Sequence, residues 1–163
     1  MNIRIGFGVD VHRLADGHLL FIGGKQIESS FGAVGHSDAD VLIHAICDAL
    51  LGAANLRDIG YHFSDTDPKF KGIDSKILLT EVVKFVHEKG YGIINIDCTV
   101  ILETPKVNPH IPDMQKILSG ILQIEEDAVS LKASTHEKVD SFGEGKAIKA
   151  YAVCLINKLD IKQ

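Results

Sequence analysis

The chain has 163 residues, of which 45% are hydrophobic and 24% are charged, and this length predicts one domain with a self-sufficient core. Its net charge is −5 and its basic residues are scattered, which argues against nucleic acid or an anionic membrane as the main partner. Three distant cysteines without a CxxC pair argue against a disulfide framework, and the lack of a leader-like or membrane-spanning apolar run then predicts a cytoplasmic protein.

The first predicted element is a β-strand over residues 2–13. Apolar and other residues alternate along it, and Gly6 and Gly8 predict that another element approaches the strand closely. Asp10 and His12 lie two positions apart near its end, so their side chains point in the same direction. An Asp-x-His pair alone is a weak signal, and it gains meaning only from further ligand-type residues.

A helix over residues 37–54 is the next element that carries candidate functional groups. Ser37 stands three residues before Asp40, a spacing typical of a helix start. Asp40, His44 and Asp48 recur every fourth residue and share one face of an otherwise apolar helix. A solvated face is one interpretation, but buried polar groups need partners, so this stripe directs attention to residues elsewhere in the chain.

Residues 55–72 form a polar, glycine-containing segment that is too long for a simple connection. Such segments are typical of lids and binding loops. The acids Asp58, Asp65 and Asp67 would bind hydroxyl groups of a ligand or would form Asx-type turns, and the sequence favours neither interpretation.

The other predicted elements are scaffold. They are a hairpin over residues 19–27 turned by two glycines, a helix from Asp74-Ser75 to Lys89-Gly90, a strand over residues 91–103, a proline-rich loop over 104–112, a helix from Asp113, a strand over 128–135 and a final strand over 146–157 for which a helix is the alternative. Their order predicts an α+β fold, a mixed sheet with helices packed on one face, in a single domain covering residues 1–163.

Asp10, His12 and His44 would form a two-histidine, one-carboxylate set if the first strand ends beside the helix. Such a set with open coordination positions suits catalytic zinc and equally the ferrous site of oxygenases. With eight histidines in the chain, a chance pairing is the alternative. Asp48, one turn beyond His44, is predicted to accept the proton of the other ring nitrogen, unless it is a plain surface acid.

Two segments offer donors to anions. Residues 132–138 combine hydroxyls and lysines at a strand end, and Glu137 among them would bring a hard cation such as Mg²⁺ to a polyphosphate. His36 and Ser37 precede the helix, where free N–H groups and the helix dipole favour negative charge. Two anion sites beside a Lewis acid suggest a diphosphate substrate.

Short motifs follow one another along almost the whole chain, at residues 10–12, 36–48, 58–60, 63–68, 105–106, 109–112 and 135–138. In this order they resemble the 2-C-methyl-D-erythritol 2,4-cyclodiphosphate synthase family. The stretch over residues 139–145 departs from the family pattern because it lacks an arginine that family members commonly carry there.

The resemblance implies a phosphorus–oxygen lyase of the non-mevalonate isoprenoid pathway. Such enzymes convert 4-diphosphocytidyl-2-C-methyl-D-erythritol 2-phosphate, a small cytidine diphosphate compound, into the 2,4-cyclodiphosphate and CMP. It also implies a homotrimer with active sites between subunits. One zinc ion per subunit would bind Asp10, His12 and His44, and a second divalent ion, Mg²⁺ or Mn²⁺, would lie near Glu137 on the substrate phosphates.

The same match implies the remaining site residues. The substrate-binding set is His36, Ser37, Asp58, Gly60, Phe63, Asp65, Leu102, Pro105, Lys106, Val107, Asn108, Ala133, Ser134 and Thr135. The catalytic set is Asp48, Asp58, Asp65, Thr135 and Glu137. Because the nucleophile is the substrate's own ionised phosphate, no general base is needed, and the three aspartates are expected to position groups and not to transfer protons.

Two other functions use the same residues. A zinc-dependent phosphate-ester or diphosphate hydrolase would use these ligands to activate water and would need a general base near the metal. A non-catalytic trimeric binding module would keep the fold without turnover. Product identity separates the first from the cyclising enzyme, and the joint loss of zinc and activity on changing His44 separates the second.

Overall fold

The computed structural model describes residues 2–159, and its centre is a mixed β-sheet. In chain order the elements are β1 (Ile3–Asp16), β2 (Leu20–Ile22), β3 (Lys25–Ile27), β4 (Phe31–Val34), α1 (Val41–Ala53), α2 (Ile59–His62), α3 (Ser75–Glu88), β5 (Tyr91–Ile101), α4 (Ile111–Leu122), β6 (Val129–Ser134), α5 (Asp140–Gly143) and β7 (Ala147–Lys158), with 3₁₀ turns at Pro68–Phe70, Asn108–His110 and Glu126–Ala128.

The main sheet has the strand order β4-β1-β7-β5-β6, and β2 and β3 form a separate hairpin. Only the β5–β6 pair is parallel, as α4 carries the chain back across the sheet between these strands. The core lies between this sheet and the helices α1, α3 and α4. The α+β class with a mixed sheet is therefore confirmed. Within residues 2–159 no helix is long and apolar enough to cross a membrane.

The predicted scaffold is largely confirmed, and the differences are short elements. The final segment is a strand, and α4 begins at Ile111, two residues earlier than predicted, because Pro112 fits the first turn of a helix. The four-residue elements β4, α2 and α5 were not predicted. Each is shorter than the window over which periodicity is recognisable.

The predicted start of α1 at Ser37 is wrong, because Asp40 caps the helix and its first residue is Val41. Asp40 is fully buried and accepts the N–H groups of Leu42 and Ile43 at the first turn. It also accepts the N–H groups of Gly23 and Gly24 at 2.9 and 2.6 Å, which joins the hairpin to the helix. Burial raises the pKa of Asp40, although these N–H groups act in the opposite direction.

Gly6 and Gly8 allow α1 to lie directly on β1, as the sequence predicted. A Cβ atom at Gly8 would stand 2.0 Å from the Ala45 carbonyl oxygen, and one at Gly6 would stand 1.8 Å from that of Ala49. No larger side chain fits at these positions without moving the helix. This close approach places His44, near the start of α1, beside Asp10 on β1.

The sheet has an open face opposite the helices. Ile5, Phe7, Val9 and Val11 on β1 project from it, and Ile5 and Phe7 are 72% and 62% exposed. Val153, opposite Phe7 on β7, is also exposed. This apolar stripe is larger than the scattered exposed residues of an ordinary surface, which is typical of a protein–protein contact.

Candidate active site

Three metal-ligating groups meet where β1 passes α1. The Asp10 Oδ2 atom lies 2.8 Å from His12 Nε2 and 3.0 Å from His44 Nδ1, and the two ring nitrogens are 3.2 Å apart. Asp10 and His12 come from alternate positions of β1, and His44 comes from the second turn of α1. One ligand atom from each residue therefore faces a common point, as the sequence predicted.

The other ring nitrogen of each histidine is already engaged. His12 Nδ1 lies 3.0 Å from the Val34 carbonyl oxygen, which can only accept, so that nitrogen carries the proton. His44 Nε2 lies 2.9 Å from Ser75 Oγ, whose own proton is donated to Asp38. A neutral ring therefore directs an unprotonated nitrogen toward Asp10, whereas a protonated ring donates to it. Three converging lone pairs repel one another, so this donor set fits a cation.

The electrostatics of the cluster favour a charged carboxylate. Burial alone would raise the pKa of Asp10, but hydrogen bonds and positive potential from His12 and His44 outweigh it and hold the pKa below its usual range. Burial would lower the pKa of His12, whereas the bond to Asp10 raises it above the ordinary value. Asp10 therefore presents a permanently negative oxygen at neutral pH.

A cavity of about 460 Å³ opens beside these three ligands and will be called the metal pocket. Its lining combines loop residues before α1 with residues of α2, of the loop after it and of α3. Eight of the predicted site residues line it, namely Asp10, His12, His36, Ser37, His44, Gly60, Phe63 and Asp65, together with Gly35, Ile59, Phe70, Ile73 and Leu78. Asp48 and Asp58 do not line it.

A second cavity of about 180 Å³ lies at the ends of β5 and β6 and will be called the nucleotide pocket. Leu102, Lys106, Val107, Asn108, Ala133, Ser134, Thr135 and Glu137 line it. Of the predicted site residues between positions 102 and 137, Pro105 alone does not line this cavity. Thr135 Oγ1 donates to Glu137 Oε1 at 3.0 Å, and the Glu103 carboxylate accepts the His136 N–H group at 2.8 Å.

The register of the sheet fixes the separation of the two pockets. Asp10 pairs with Ala150 of β7, Ala150 pairs with Val100 of β5, and Val100 pairs with Ala133 of β6. Asp10 and Ala133 therefore stand in one row across three strand spacings, or about 14 Å. The two pockets share no lining residue.

The sequence profile of the YgbB family matches residues 3–157. The chain belongs to this family. A 2-C-methyl-D-erythritol 2,4-cyclodiphosphate synthase of Porphyromonas gingivalis strain W83 is 60% identical over 153 residues, 94% of each sequence.

Solved structures agree with this assignment. Bifunctional IspDF from Campylobacter jejuni has a TM-score of 0.94 at 36% identity over 99% of this chain, which spans 44% of that longer protein. The IspF CDP complex of Plasmodium falciparum has a TM-score of 0.86 at 35% identity over 98% of both chains.

In this YgbB-family chain the predicted bond from His44 to Asp48 is wrong. Asp48 Oδ1 instead accepts the Ile59 N–H group at 2.8 Å, at the start of α2. The i,i+4 spacing places the two side chains on one face of α1, but the ring of His44 turns its second nitrogen toward α3. Burial raises the pKa of Asp48, and the neighbouring Asp58 and Asp10 add to that effect.

The predicted anion site at the α1 N-terminus also needs correction. Since α1 begins at Val41, the N–H groups of Leu42 and Ile43 are bonded to Asp40 and are not free for a ligand. His36 and Ser37 lie in the preceding loop and reach the metal pocket through their side chains. Their position in the pocket depends on the loop and not on the helix dipole.

The acids of residues 55–72 were expected either to bind ligand hydroxyl groups or to form Asx-type turns, and they do not all behave alike. Asp58 accepts the Tyr61 N–H group at 2.9 Å and caps α2, and Asp67 accepts the Lys69 N–H group at 3.0 Å and caps the 3₁₀ turn. Both therefore form Asx-type caps. Asp65 instead lines the metal pocket, as the other interpretation expects.

Three polar residues near the pockets were not predicted to take part. Ser75 was interpreted only as part of a helix start, but it is fully buried and its hydroxyl contacts His44. Asp38 bonds to Ser75, and Glu103 supports the loop that carries Glu137. Each acts across 31 or more sequence positions, so no local pattern or spacing in the sequence identifies it.

Proposed function

We propose that this chain converts 4-diphosphocytidyl-2-C-methyl-D-erythritol 2-phosphate into 2-C-methyl-D-erythritol 2,4-cyclodiphosphate and CMP, in the non-mevalonate isoprenoid pathway. The observation that carries the proposal is the convergence of Asp10, His12 and His44 in the metal pocket of a YgbB-family chain. The names of its relatives, which are cyclodiphosphate synthases, support the same reaction.

In this reaction the 2-phosphate of the substrate attacks the β-phosphorus and CMP leaves. The protein must hold the attacking oxygen, the phosphorus and the leaving oxygen in line, and it need not provide a nucleophile. We assign the methylerythritol and β-phosphate half to the metal pocket and the cytidine and α-phosphate half to the nucleotide pocket. The catalytic set of Asp48, Asp58, Asp65, Thr135 and Glu137 then positions the reacting groups.

Hydrogen bonds within the metal pocket suit these roles. Ser37 Oγ accepts the Ala39 N–H group at 3.1 Å and lies 3.1 Å from His44 Nε2, so its own proton is free for a phosphate oxygen. His36 Nε2 lies 3.1 Å from the Asp67 carbonyl oxygen, which ties the ring to the loop after α2. Through the Ile59 N–H group, Asp48 fixes the start of α2, beside Gly60.

Asp10, His12 and His44 would hold a zinc ion, and Glu137 would hold Mg²⁺ or Mn²⁺ on the phosphates. When bound, these cations neutralise phosphate charge and stabilise the charge that develops on CMP. The two imidazoles and one carboxylate are a donor set typical of catalytic zinc. Thr135 donates a hydrogen bond to the Glu137 carboxylate in the nucleotide pocket. Carboxylate oxygens are the ligands that hard cations prefer.

The proposal includes a homotrimer with active sites between subunits. Two features support it. The open face of β1 and β7 exposes an apolar stripe that a neighbouring subunit would cover. Each subunit also carries two separate pockets, whose residues Asp10 and Ala133 stand three strand spacings apart, or about 14 Å. A ring of subunits joined by heterologous contacts brings the metal pocket of one subunit to the nucleotide pocket of the next.

A cytoplasmic location is part of the proposal. Cys47, Cys98 and Cys154 are all unpaired and buried. Burial also raises the pKa of the Cys154 thiol to about 11, which disfavours the reactive thiolate. Three free thiols in the core are typical of a protein from a reducing compartment.

The experiment that tests the proposal is product analysis after incubation of the cytidylyl substrate with the zinc-loaded protein and Mg²⁺. Release of CMP together with a cyclic diphosphate, seen by ³¹P NMR, is the expected result. Release of CMP with an open-chain product would support the zinc hydrolase instead. No turnover despite bound substrate and zinc would support the non-catalytic binding module.

A further inference from the structure

We propose that Asp38 and Ser75 are positioning residues for the metal ligand His44, acting through a hydrogen-bonded chain from Asp38 to Ser75 to His44. The inference rests on the proposed metal site at Asp10, His12 and His44. It assigns a role to two residues that touch neither the metal nor the substrate.

The direction of each hydrogen bond in the chain is fixed by chemistry. An Asp38 carboxylate can only accept, so the Ser75 hydroxyl donates to it. Ser75 Oγ is then left as an acceptor, and it lies 2.9 Å from His44 Nε2, which must donate. His44 is therefore held in the tautomer that leaves Nδ1 unprotonated, and Nδ1 is the nitrogen 3.0 Å from Asp10 Oδ2.

Asp38, at the end of this hydrogen-bonded series, is itself held in place. The second carboxylate oxygen of Asp38 accepts the Ser75 N–H group at 3.0 Å, so Asp38 binds both the hydroxyl and the amide of one residue. The Asp38 N–H group in turn donates to the Ile73 carbonyl oxygen at 3.0 Å. Ser75 is fully buried at the first position of α3, so its hydroxyl has no water to replace these partners.

This arrangement gives His44 the partner that metal-bound histidines commonly have on the second nitrogen. A carboxylate reached through a hydroxyl orients the ring and makes its ligating nitrogen a stronger donor. The serine is needed because Asp38 lies beyond the ring, on the loop before α1, whereas Asp48 on α1 itself is bonded to Ile59.

The hydrogen-bonded series Asp38–Ser75–His44 also links His44 to the loop that lines the metal pocket. Besides the bonds of Asp38, the Gly72 N–H group donates to the His36 carbonyl oxygen at 2.7 Å. Several hydrogen bonds therefore join residues 36–38 to residues 72–75. A change in Ser75 removes only the hydroxyl and leaves the other links. Ser75→Ala is therefore a cleaner test of the positioning role than removal of the whole Asp38 side chain.

The test uses the full-length protein and Zn²⁺ alone, with affinity measured by competition against a chelator in the absence of substrate. Ser75→Ala and Asp38→Asn are expected to weaken zinc binding by about 10- to 100-fold. Because both changes break one chain, the double variant should lose little more than either single variant. The visible spectrum of the Co²⁺-substituted protein should shift in the same variants.

Matched controls separate this role from general damage. Ser119→Ala removes another buried hydroxyl, which donates only to the Lys116 carbonyl within α4. Asp74→Asn removes a charge at the same end of α3 without touching His44. Both controls are expected to keep the zinc affinity and the Co²⁺ spectrum of the wild-type protein. Thermal unfolding of the metal-free proteins checks that each variant is folded.

The outcomes distinguish this inference from the proposed function. Ser75→Ala and Asp38→Asn variants that bind zinc as tightly as wild type would overturn the inference alone. Wild-type protein without tight zinc binding would overturn the metal site as well. If Ser75→Ala does not fold, the affinity of Asp38→Asn relative to Asp74→Asn decides.

Discussion

The metal pocket and the nucleotide pocket are held together in opposite ways. In the metal pocket, side-chain hydrogen bonds join residues that are far apart in the sequence, such as His12 to Val34 and His44 to Ser75. In the nucleotide pocket, the side-chain bonds of Ser134 and Thr135 reach only one or two residues along the chain. Glu103, which supports the loop from outside, is the long-range contact.

This difference fits what each pocket is proposed to bind. A metal ion requires ligand atoms fixed in position, and long-range bonds across β1, α1 and α3 provide that rigidity within one subunit. A nucleotide has rotatable bonds and is held by many weaker contacts, so an open and locally built pocket is sufficient. For the proposed homotrimer, we therefore expect the metal pocket to be complete in each subunit and the nucleotide pocket to act beside a neighbouring subunit.

The largest effect is expected from a substitution that disables the metal pocket and leaves the nucleotide pocket intact. His44→Ala should lower turnover by about 10³-fold or more, because a Lewis acid contributes several kcal/mol to charge stabilisation. Zinc content, measured by atomic absorption, should fall with it. CMP binding, measured by calorimetry, should stay near the wild-type value. Full turnover by a zinc-free variant would contradict the assignment of the metal pocket.

Hybrid oligomers test whether the two pockets of one active site belong to different subunits. Protein reassembled from equal amounts of His44→Ala and Glu137→Gln subunits should regain about a quarter of wild-type activity, since about one contact in four pairs two intact pockets. The assay uses a Mg²⁺ concentration well below the wild-type requirement, where the Glu137→Gln pocket alone retains only about a tenth of wild-type activity. Each variant alone, unfolded and refolded in the same way, is the control. A mixture no more active than the two separate variants would place both pockets of a site in one subunit.

Gly8→Ala should disturb the metal pocket through the backbone. The new Cβ atom would collide with the Ala45 carbonyl oxygen, so α1 must move and carry His44 away from Asp10. We expect a loss of stability of about 3 kcal/mol, measured by urea unfolding, together with weaker zinc binding. Gly52→Ala is the matched control, because a Cβ atom there meets nothing within 4 Å. Equal stability of the two variants would contradict the close packing of α1 on β1.

The smallest expected effect lies in the nucleotide pocket. Glu137→Gln should raise the Mg²⁺ concentration needed for half-maximal turnover by about tenfold, because a neutral amide is a weaker ligand for a hard cation. The zinc content should stay unchanged, since Glu137 lies outside the metal pocket. An unchanged Mg²⁺ requirement would show that the second cation binds elsewhere.

The same contrast explains how far the sequence could predict the structure. The convergence of Asp10, His12 and His44 was predictable because Asp10 and His12 follow strand spacing and His44 lies on a helix with a clear polar face. The partner of His44 was not, because helix spacing favours Asp48 whereas packing against α3 selects Ser75. In the nucleotide pocket, the polar cluster at a strand end indicated Ser134, Thr135 and Glu137. The other lining residues have no such signal and were reached only through resemblance to a known family.

The source of the attacking oxygen tests the account most directly. The zinc-loaded protein would turn over the cytidylyl substrate with Mg²⁺ in ¹⁸O-labelled water, followed by mass spectrometry of both products. The account predicts unlabelled CMP and an unlabelled cyclic diphosphate, because the phosphate of the substrate is the nucleophile. Incorporation of ¹⁸O into CMP or into an open-chain phosphate would identify water as the nucleophile and would contradict the proposed cyclisation.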